Sequence, residues 1–371
     1  MVKTVGILTY HAADNFGAVL QAFALQRTIK ALGASCSIID YREPQTDAAY
    51  RLFHAPRNRS SIRRDLLILM NLSSHLKARN RYEQFRLVNL ELTTKSFRSL
   101  NDLLCESFNF DAYVSGSDQV WHPNLLDRSC GAIYFLDFAG AARRVAYAPS
   151  FGLTQMPVQY RERAASFIRQ FDFLSAREDT GCAMIQDLTG RTADHVLDPT
   201  LLQPLAEYNK AAVAPTIRGG YILLYPMQMS DHLCNVALTA QKRLKLPIVA
   251  VLRPDFEPWR FTFADKLVYN AGPAEFLGWM KNAAFICTNS FHGTCFSIIY
   301  RKNFLGVPHL GAGTRLNSLL KYLDLLNRQI DEPGDLNIND PRLETIDYSS
   351  VEPRLDQAVK RSLDFLRKAL A

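Results

Sequence analysis

The sequence predicts an α/β protein built from two Rossmann-like, doubly wound domains. Short apolar runs typical of buried strands alternate along the chain with longer amphipathic runs of helical period. This alternation is interrupted at residues 203–219, a stretch that contains proline and glycine, and then restarts. The chain of 371 residues is also long enough for two hydrophobic cores of ordinary size.

Each half is expected to form its own sheet, because strands that alternate with helices are typical of βαβ units. Strands of the first half are predicted at 5–10, 36–40, 112–115, 143–148, 173–176 and 195–197. Strands of the second half are predicted at 221–225, 248–252, 285–288 and 304–307. Two such halves in series are expected to face a central cleft at the carboxyl ends of their strands, where ligands bind in this architecture.

The domain boundaries follow from the same pattern. We predict an N-terminal domain over residues 1–202, with a helical insertion at about 44–98, and a linker over 203–219. The C-terminal domain is predicted over 220–345, followed by an amphipathic helix within 346–371.

Composition excludes several classes of protein. An apolar fraction of 48% and a charged fraction of 21% are ordinary for a globular protein and exclude wholesale disorder. No apolar run approaches the roughly 18–20 residues of a membrane-spanning helix. The first ten residues lack the features of a secretory signal and are expected to form a strand. Seven cysteines without Cys-x-x-Cys spacing are expected to be reduced thiols in the cytoplasm.

The net charge of +7 is concentrated in one segment. Residues 51–98 hold eleven Lys and Arg against three Asp and Glu. Apolar residues lie among them at helical spacing: Leu66, Leu67, Ile68, Leu69, Met70, Leu72 and Leu76. One interpretation is a solvated helical hairpin, and another is a basic amphipathic helix that contacts an anionic membrane or steers an anionic substrate. Nucleic acid is not expected as a partner, because no nucleic-acid-binding motif accompanies the charge.

Several common catalytic motifs are missing from the sequence. It contains no Gly-x-Gly-x-x-Gly fingerprint, Walker loop, Gly-x-Ser-x-Gly elbow or His-Glu-x-x-His motif. The eight histidines are scattered without the spacing of metal ligands, so no metal is expected. No Asp-x-Asp motif occurs, which disfavours a metal-dependent nucleotide-sugar site of that common type.

The first segment with polar candidates follows the first predicted strand, at residues 10–21. A polar loop that includes His11 and Asn15 leads into a helix that starts near Gly17 and carries Gln21. The side chains of Asn15 and Gln21 can bind sugar hydroxyls. Simple capping of the helix by Asp14 or Asn15 is the alternative interpretation.

A second segment, residues 113–121, also follows a predicted strand. A carboxylate, an amide and an indole occur together at Asp118, Gln119 and Trp121, a combination that suits carbohydrate binding. Trp121 is expected to stack on a sugar face, although a tryptophan considered alone is more often a core residue.

A third segment, residues 288–294, places polar residues between a strand and the start of a helix. An anion can rest on the N-terminus of such a helix, and His292 is the best catalytic candidate in the chain. Arg177, Arg301 and Arg315 are candidate ligands for phosphate or carboxylate groups, with exposure on the surface as the alternative.

Taken in order, these motifs resemble those of the polysaccharide pyruvyl transferases. The matching segments are residues 10–11, 15–22, 116–121 (Gly-Ser-Asp-Gln-Val-Trp), 175–178 (Ser-Ala-Arg-Glu), 196–200 (Val-Leu-Asp-Pro-Thr) and 290–293 (Ser-Phe-His-Gly). The resemblance implies a GT-B-like fold and transfer of pyruvate from phosphoenolpyruvate to a sugar, with release of phosphate and no further cofactor. The sugar acceptor would belong to an exopolysaccharide or cell-wall glycan precursor, free or linked to a lipid diphosphate.

The resemblance also implies roles for individual residues. His292 matches the catalytic histidine, and Arg177 matches an arginine that binds the donor. Some members have Arg-Leu-His where this chain has Ser290-Phe291-His292, and Arg301 or Arg315 would then replace the missing arginine. Asn289, Ser290 and Gly293 complete the implied donor site in the C-terminal domain. The implied acceptor site in the N-terminal domain comprises His11, Asn15, Gln21, Gln119 and Trp121.

Ketal formation requires one group that gives a proton and one that accepts a proton. We expect His292 to be protonated once the anionic donor binds and to act as general acid, with Asp118 as the candidate base. Two other functions remain open at this stage: a GT-B-like glycosyltransferase that uses a nucleotide sugar, and a binding protein without activity. The basic segment at residues 51–98 also raises a peripheral contact with the inner face of the membrane.

Overall fold

The computed structural model describes residues 2–50, 59–128, 130–217, 219–308 and 313–371. Within these residues the strands are β1 (Thr4–Leu8), β2 (Ser35–Tyr41), β3 (Leu92–Phe97), β4 (Ala112–Ser115), β5 (Arg143–Ala146), β6 (Phe173–Ala176), β7 (Asp194–His195), β8 (Ile222–Tyr225), β9 (Ile248–Val251), β10 (Lys266–Val268), β11 (Phe285–Thr288) and β12 (Asn303–Gly306). The helices are α1 (Phe16–Ala31), α2 (Pro44–Ala49), α3 (Arg59–Met70), α4 (Leu72–Asn89), α5 (Leu100–Leu104), α6 (Val158–Ile168), α7 (Asp179–Thr189), α8 (Leu205–Ala211), α9 (Asp231–Leu244), α10 (Pro273–Asn282), α11 (Phe291–Ile299), α12 (Gly313–Tyr322) and α13 (Glu352–Ala369).

The chain divides into two compact units. Unit 1 comprises Met1–Ala48, Asn89–Gln203 and Pro353–Ala371, and unit 2 comprises Ala49–Val88 and Pro204–Glu352. The chain therefore passes between the units more than once. The prediction from sequence instead placed the domains one after the other along the chain.

Unit 1 is built on a parallel sheet whose order is β3-β2-β1-β4-β5-β6-β7. This order reverses direction between β1 and β4, as in dinucleotide-binding Rossmann sheets. The strands at the centre of the sheet are buried on both faces because helices cover both sides. The carboxyl ends of β1 and β4 therefore define the switch point at which ligands of this fold class bind.

Unit 2 repeats the same arrangement with fewer strands. Its parallel sheet has the order β10-β9-β8-β11-β12, and the order reverses between β8 and β11. Strands β8, β9 and β11 are buried along their whole length. The predicted fold class, an α/β protein with two Rossmann-like domains, is confirmed.

Part of the basic segment belongs to unit 2, not to the N-terminal domain in which the sequence placed it. In α4, Arg81 donates from Nη1 to the carbonyl oxygen of Asn270 (2.6 Å) and pairs through Nε with Glu275 (3.0 Å). Arg63 of α3 forms an ion pair with Glu257. Residues after α4 return to unit 1 as strand β3, which the sequence had assigned to a helical insertion. Arg51 and Arg57 of the basic segment lie outside the described residues.

The C-terminal helix α13 packs in unit 1, although it follows the last residues of unit 2. The hydroxyl of Ser362 accepts a hydrogen bond from the backbone N–H of Leu197 (2.9 Å). Arg143 at the start of β5 donates to the carbonyl oxygen of Ala369 (3.0 Å). These contacts hold the end of the chain against the sheet of unit 1.

Part of the predicted linker, residues 203–219, forms a helix. Helix α8 lies within it, and its Tyr208 packs edge-on against Phe296 of α11, with ring centroids 5.1 Å apart. This contact places α8 in unit 2. No helix in the described part of the chain is long and apolar enough to cross a membrane.

Candidate functional site

A buried histidine, His11, holds the loop after β1 in position. The Nε2 atom of His11 lies 2.9 Å from Oδ1 of Asp40 on the neighbouring strand β2, and Nδ1 lies 3.2 Å from the carbonyl oxygen of Thr9. Burial raises the pKa of Asp40, but the hydrogen bonds and charges of His11 and Arg42 outweigh it, so the net shift is downward. His11 is completely buried. Its position corrects the expectation of an acceptor contact, because it joins the ends of two strands instead.

Asn15 and Gln21 organise the start of α1. Asn15 caps the helix, and its side chain accepts from the backbone N–H of Ala18 (3.1 Å). Gln21 is completely buried, and its Nε2 donates toward Thr9 Oγ1 and the carbonyl oxygens of Tyr10 and Ala18, at 2.9–3.1 Å. Its Oε1 has no hydrogen-bond partner among the described residues. Capping, the alternative that the sequence left open for Asn15, is therefore observed.

Asp118 lies after β4 in a strained backbone conformation. Its φ is +84°, in the left-handed region that residues other than glycine rarely adopt. Its carbonyl oxygen accepts from the N–H of Ser150 (2.8 Å), which ties the loop after β4 to the loop after β5. The side chains of Asp118 and Gln119 are half-buried, and Gln119 packs against Gly152. Strain of this kind is concentrated at functional sites, so the backbone supports the selection of Asp118 from sequence.

Trp121 corrects the sequence interpretation of a sugar-stacking residue. Its ring is completely buried and stacks on Phe135, with centroids 5.0 Å apart and an interplanar angle of 17°. Phe151 and Phe171 pack edge-on against it at 5.5 and 5.2 Å. Since its ring is enclosed, Trp121 is a core residue that anchors the Asp118 loop.

Arg177 lies in a buried ionic network in unit 1. Its Nη1 donates to Asp198 Oδ2 (2.9 Å), and its Nε donates to Glu178 Oε1 (3.1 Å). Burial alone lowers the pKa of the guanidinium, but the carboxylates of Glu178, Asp198 and Asp118 raise it above its ordinary value. The fork that was expected to bind a donor anion is thus held by the protein's own carboxylates, which corrects that expectation.

Asp198 is the centre of this network. Its Oδ2 also accepts from the hydroxyl of Ser117 (2.8 Å), and its Oδ1 accepts from the N–H and hydroxyl of Thr200, at 3.0 and 2.6 Å. The three family-like segments at 116–121, 175–178 and 196–200 therefore meet through hydrogen bonds at the carboxyl edge of the sheet. The polar side chains of these segments therefore have a structural role, because they join three loops through hydrogen bonds.

In unit 2, the loop between β11 and α11 is held rigidly. Asn289 Oδ1 accepts from the N–H of Met227 (2.6 Å), and its Nδ2 donates to the carbonyl oxygen of Gln228 (2.8 Å), so it joins the loops after β8 and β11. Ser290 caps α11, and its hydroxyl accepts from the N–H of Gly293 (3.2 Å). Both side chains are buried and fix the position of the residues between them.

His292 lies in the first turn of α11, at the carboxyl edge next to the switch point. It is buried, with the ring of Phe291 edge-on at 5.3 Å. Glycine follows it because a Cβ at position 293 would lie 2.5 Å from Thr288 Oγ1 and 3.0 Å from the ring of Tyr225. The histidine is therefore positioned by tight packing of the helix start against β8 and β11.

The two candidate arginines that follow His292 lie in different places. Arg301 comes nine residues after His292, at the opposite end of α11, about 13 Å along the helix axis. Its side chain is 66% exposed and pairs with Glu352 (2.7 Å). This position corrects the expectation that Arg301 contacts the donor. Arg315, in the first turn of α12, is half-buried and follows the loop that leaves the carboxyl end of β12.

Two residues at the same edge of unit 2, Arg253 and Tyr225, were not predicted from the sequence. Arg253 follows β9 and forms a bidentate pair with Asp255, at 3.0 and 2.7 Å. Burial raises the pKa of Tyr225 at the end of β8, while a hydrogen bond with Ser290 and the charge of Arg253 lower it, and the net shift is upward. Arg253 lies just past a correctly predicted strand, so its position at the strand end was a usable signal. No group of three metal-binding side chains occurs in the part of the chain that the structure describes.

Comparison with known proteins gives one family. The family model for polysaccharide pyruvyl transferases matches residues 15–310, which is well over half of the chain. No curated protein matches the chain significantly.

Two solved structures with a similar course of the chain have low sequence identity to it. UDP-GlcNAc 2-epimerase from Methanocaldococcus jannaschii is 13% identical and covers 95% of this chain and 93% of its own, with a TM-score of 0.47. The heptosyltransferase WaaC from E. coli, solved with ADP, is 14% identical and covers 96% of this chain and 99% of its own, with a TM-score of 0.41.

Proposed function

The chain belongs to the polysaccharide pyruvyl transferase family, and from this premise we propose that it transfers pyruvate from phosphoenolpyruvate to a sugar of a glycan precursor. The product would be a cyclic pyruvate ketal on the sugar, and inorganic phosphate would be released. The acceptor in this proposal is an exopolysaccharide or cell-wall precursor of the bacterial type.

One observation carries the donor part of the proposal: the position of His292. A buried histidine in the first turn of α11 lies where the helix N-terminus favours negative charge. Asn289 and Ser290 hold this turn against the loop after β8, and no acidic residue occupies the first turn of the helix. Phosphoenolpyruvate carries a phosphate and a carboxylate, so it has the negative charge that this helix N-terminus favours.

The chemistry assigned to His292 is donation of a proton to the vinyl CH₂ carbon of phosphoenolpyruvate. The neighbouring carbon then becomes electrophilic and is attacked by a sugar hydroxyl, which loses its proton to a base. A second hydroxyl then bonds to the same carbon as the bond from that carbon to the phosphate oxygen breaks, its proton leaves with the phosphate, and the ketal ring closes. We propose Asp118 of unit 1 as the base, because its carboxylate is half-buried and its backbone is held in a strained conformation.

We also propose a peripheral membrane contact, which suits an acceptor linked to a lipid diphosphate. Helix α3 exposes apolar side chains at spacings of four, three and one residues, which place them on one helix face: Ile62 (47%), Leu66 (57%), Leu69 (51%) and Met70 (66%). Arg63, 64% exposed, lies next to this face. An apolar stripe beside cations is typical of helices that lie in the surface of anionic membranes.

Vesicle binding tests the membrane contact. A Leu66→Glu, Leu69→Glu double variant should lose binding to anionic vesicles, whereas Val158→Glu, at a position 84% exposed in unit 1, should bind as the unaltered protein does. Equal binding of the two variants would contradict the assignment.

Phosphate release tests the reaction. The protein is incubated with phosphoenolpyruvate and a panel of free and lipid-linked sugars, beside His292→Ala and the matched control Arg301→Ala. We expect release that depends on the acceptor and is lost only in the histidine variant. If phosphoenolpyruvate neither releases phosphate nor raises the melting temperature while a nucleotide sugar does raise it, the protein is a glycosyltransferase of the alternative kind.

A further inference from the structure

Two buried polar atoms at the end of β2 have no hydrogen-bond partner among the described residues. They are the hydroxyl of Tyr41, the last residue of the strand, and Oε1 of Glu43. The two residues are only 2% and 3% exposed. Buried polar groups are nearly always hydrogen-bonded, because leaving one unsatisfied costs free energy. Neither atom has a role in the function proposed above.

The rest of Glu43 is fully engaged, which fixes where Oε1 lies. Its Oε2 accepts from the backbone N–H of Thr46, and its carbonyl oxygen accepts from that of Asp47 (2.9 Å), so Glu43 caps α2. Arg128 Nη1 lies 3.7 Å from the same Oε2. The thiol of Cys130 also faces this carboxylate. Burial, the charge of Glu43 and a weak S–H contact with its carboxylate raise the pKa of that thiol to about 12, so it stays a neutral and weak donor.

The surroundings of these atoms lie at the switch point of unit 1. The ring of Tyr134 packs edge-on against both Tyr10 and Tyr41, with centroids 5.1 and 5.8 Å apart. Burial and the charges of Asp118 and Glu43 all raise the pKa of Tyr10. The cluster therefore joins the carboxyl ends of three adjacent strands, β2, β1 and β4, and reaches the proposed base.

The chemistry of the cluster matches an uncharged polyol. A carboxylate oxygen only accepts hydrogen bonds, while a phenol donates and accepts. A sugar hydroxyl also donates and accepts, so it can pair with either atom. The carboxylates of Glu43 and Asp118 already face the guanidinium groups of Arg128 and Arg177, so a neutral polyol suits the cluster without adding an unpaired charge. Tyr10 is half-buried, and its ring packs on Tyr134, which also contacts Tyr41.

We infer that Tyr41 and Glu43, with Tyr10 beside them, form a subsite that binds hydroxyl groups of the sugar acceptor. This assignment rests on the proposed function for the identity of the sugar as acceptor, but the binding itself is measured without turnover. Tyr41 and Glu43 are positioning residues in this scheme and take no part in proton transfer.

The test uses Tyr41→Phe and Glu43→Gln, with Tyr300→Phe as a matched control. Tyr300 is another buried tyrosine whose hydroxyl has no hydrogen-bond partner among the described residues, but it lies in unit 2. Binding of methyl hexosides and methyl N-acetylhexosaminides is followed by ligand-observed NMR, and melting temperatures are recorded with and without phosphoenolpyruvate. We expect each unit 1 variant to bind its best glycoside roughly 5–10-fold more weakly, and the control to bind unchanged.

Folding and function are separated by the other readouts. Tyr41→Phe removes a hydroxyl that has no hydrogen-bond partner among the described residues, so its melting temperature should be unchanged or higher. A lower melting temperature with unchanged glycoside binding would make the hydroxyl structural and overturn the subsite. So would the absence of glycoside binding to the unaltered protein. If phosphoenolpyruvate did not raise the melting temperature of the unaltered protein while the unit 1 variants bound glycosides more weakly as expected, the donor assignment would be overturned and the subsite would stand.

Discussion

The carboxyl edges of the two sheets have the same strand order but opposite chemistry. In unit 1 the edge is rich in carboxylates, and Asp198 and Glu178 hold the guanidinium of Arg177 in a closed network. In unit 2 the edge has neutral amides and hydroxyls around His292 at a helix N-terminus. The same topology can therefore present one surface suited to neutral hydroxyls and another suited to an anion.

The largest expected effect tests the anion side of this comparison. His292→Ala should lower the rate of phosphate release by about 10²–10⁴-fold, since it removes the proposed general acid. Its melting temperature without ligand should stay close to that of the unaltered protein. Retained turnover would remove His292 from the chemistry.

The next effect concerns the carboxylate side. Asp198→Ala leaves the buried guanidinium of Arg177 without one of its two carboxylate partners and should destabilise unit 1 by about 3–5 kcal/mol. Urea denaturation measures this loss, with the exposed ion-pair residue Asp364 as the control site in Asp364→Ala. If Asp198→Ala is as stable as the control, the network is not the structural element described here.

A smaller effect is expected at the packed helix start of unit 2. Gly293→Ala places a Cβ within 2.5 Å of Thr288 Oγ1, which should displace the first turn of α11 and destabilise the fold by about 1–3 kcal/mol. The affinity for phosphoenolpyruvate should fall with it, as measured by the thermal shift. A stable variant with unchanged affinity would show that the turn tolerates movement.

The smallest effect is a pH dependence in unit 1. Hydrogen bonds from His11 and Arg42 outweigh burial and lower the pKa of Asp40. Its ionised form therefore stabilises the fold above about pH 4, and this contribution is lost as the pH falls toward the folded pKa. Asp40→Asn should unfold less steeply with acid than the unaltered protein in melting curves. If the melting temperature of Asp40→Asn fell with acid as steeply as that of the unaltered protein, Asp40 would not cause this pH dependence.

The buried strands of the fold could be predicted from sequence, whereas two of the four edge strands in the described sheets could not. β1, β8 and β11 are short apolar runs that match buried strands. Strand β3 was missed because its polar residues break the apolar pattern that marks a strand, and β10 was missed because it has only three residues. Assignment of α3, α4 and α13 to units depends on tertiary contacts, such as that of Arg81 with Asn270, which no local pattern encodes.

The positions of the site residues along the fold were predicted more successfully than the orientations of their side chains. The sequence located Asp118, Arg177 and His292 at strand ends, and the structure places all three there. It could not show that the guanidinium of Arg177 turns toward Asp198, or that Trp121 turns into the core. Strand ends can be predicted from periodicity, but side-chain orientation depends on tertiary packing.

The most direct test of the central comparison is hydrogen–deuterium exchange with phosphoenolpyruvate. We expect the donor to slow exchange at residues 225–229 and 288–294 of unit 2. Exchange at residues 115–119 and 175–178 of unit 1 should stay unchanged. Protection confined to the unit 1 segments, or protection at neither edge, would contradict the assignment of the anion site to the edge that carries His292.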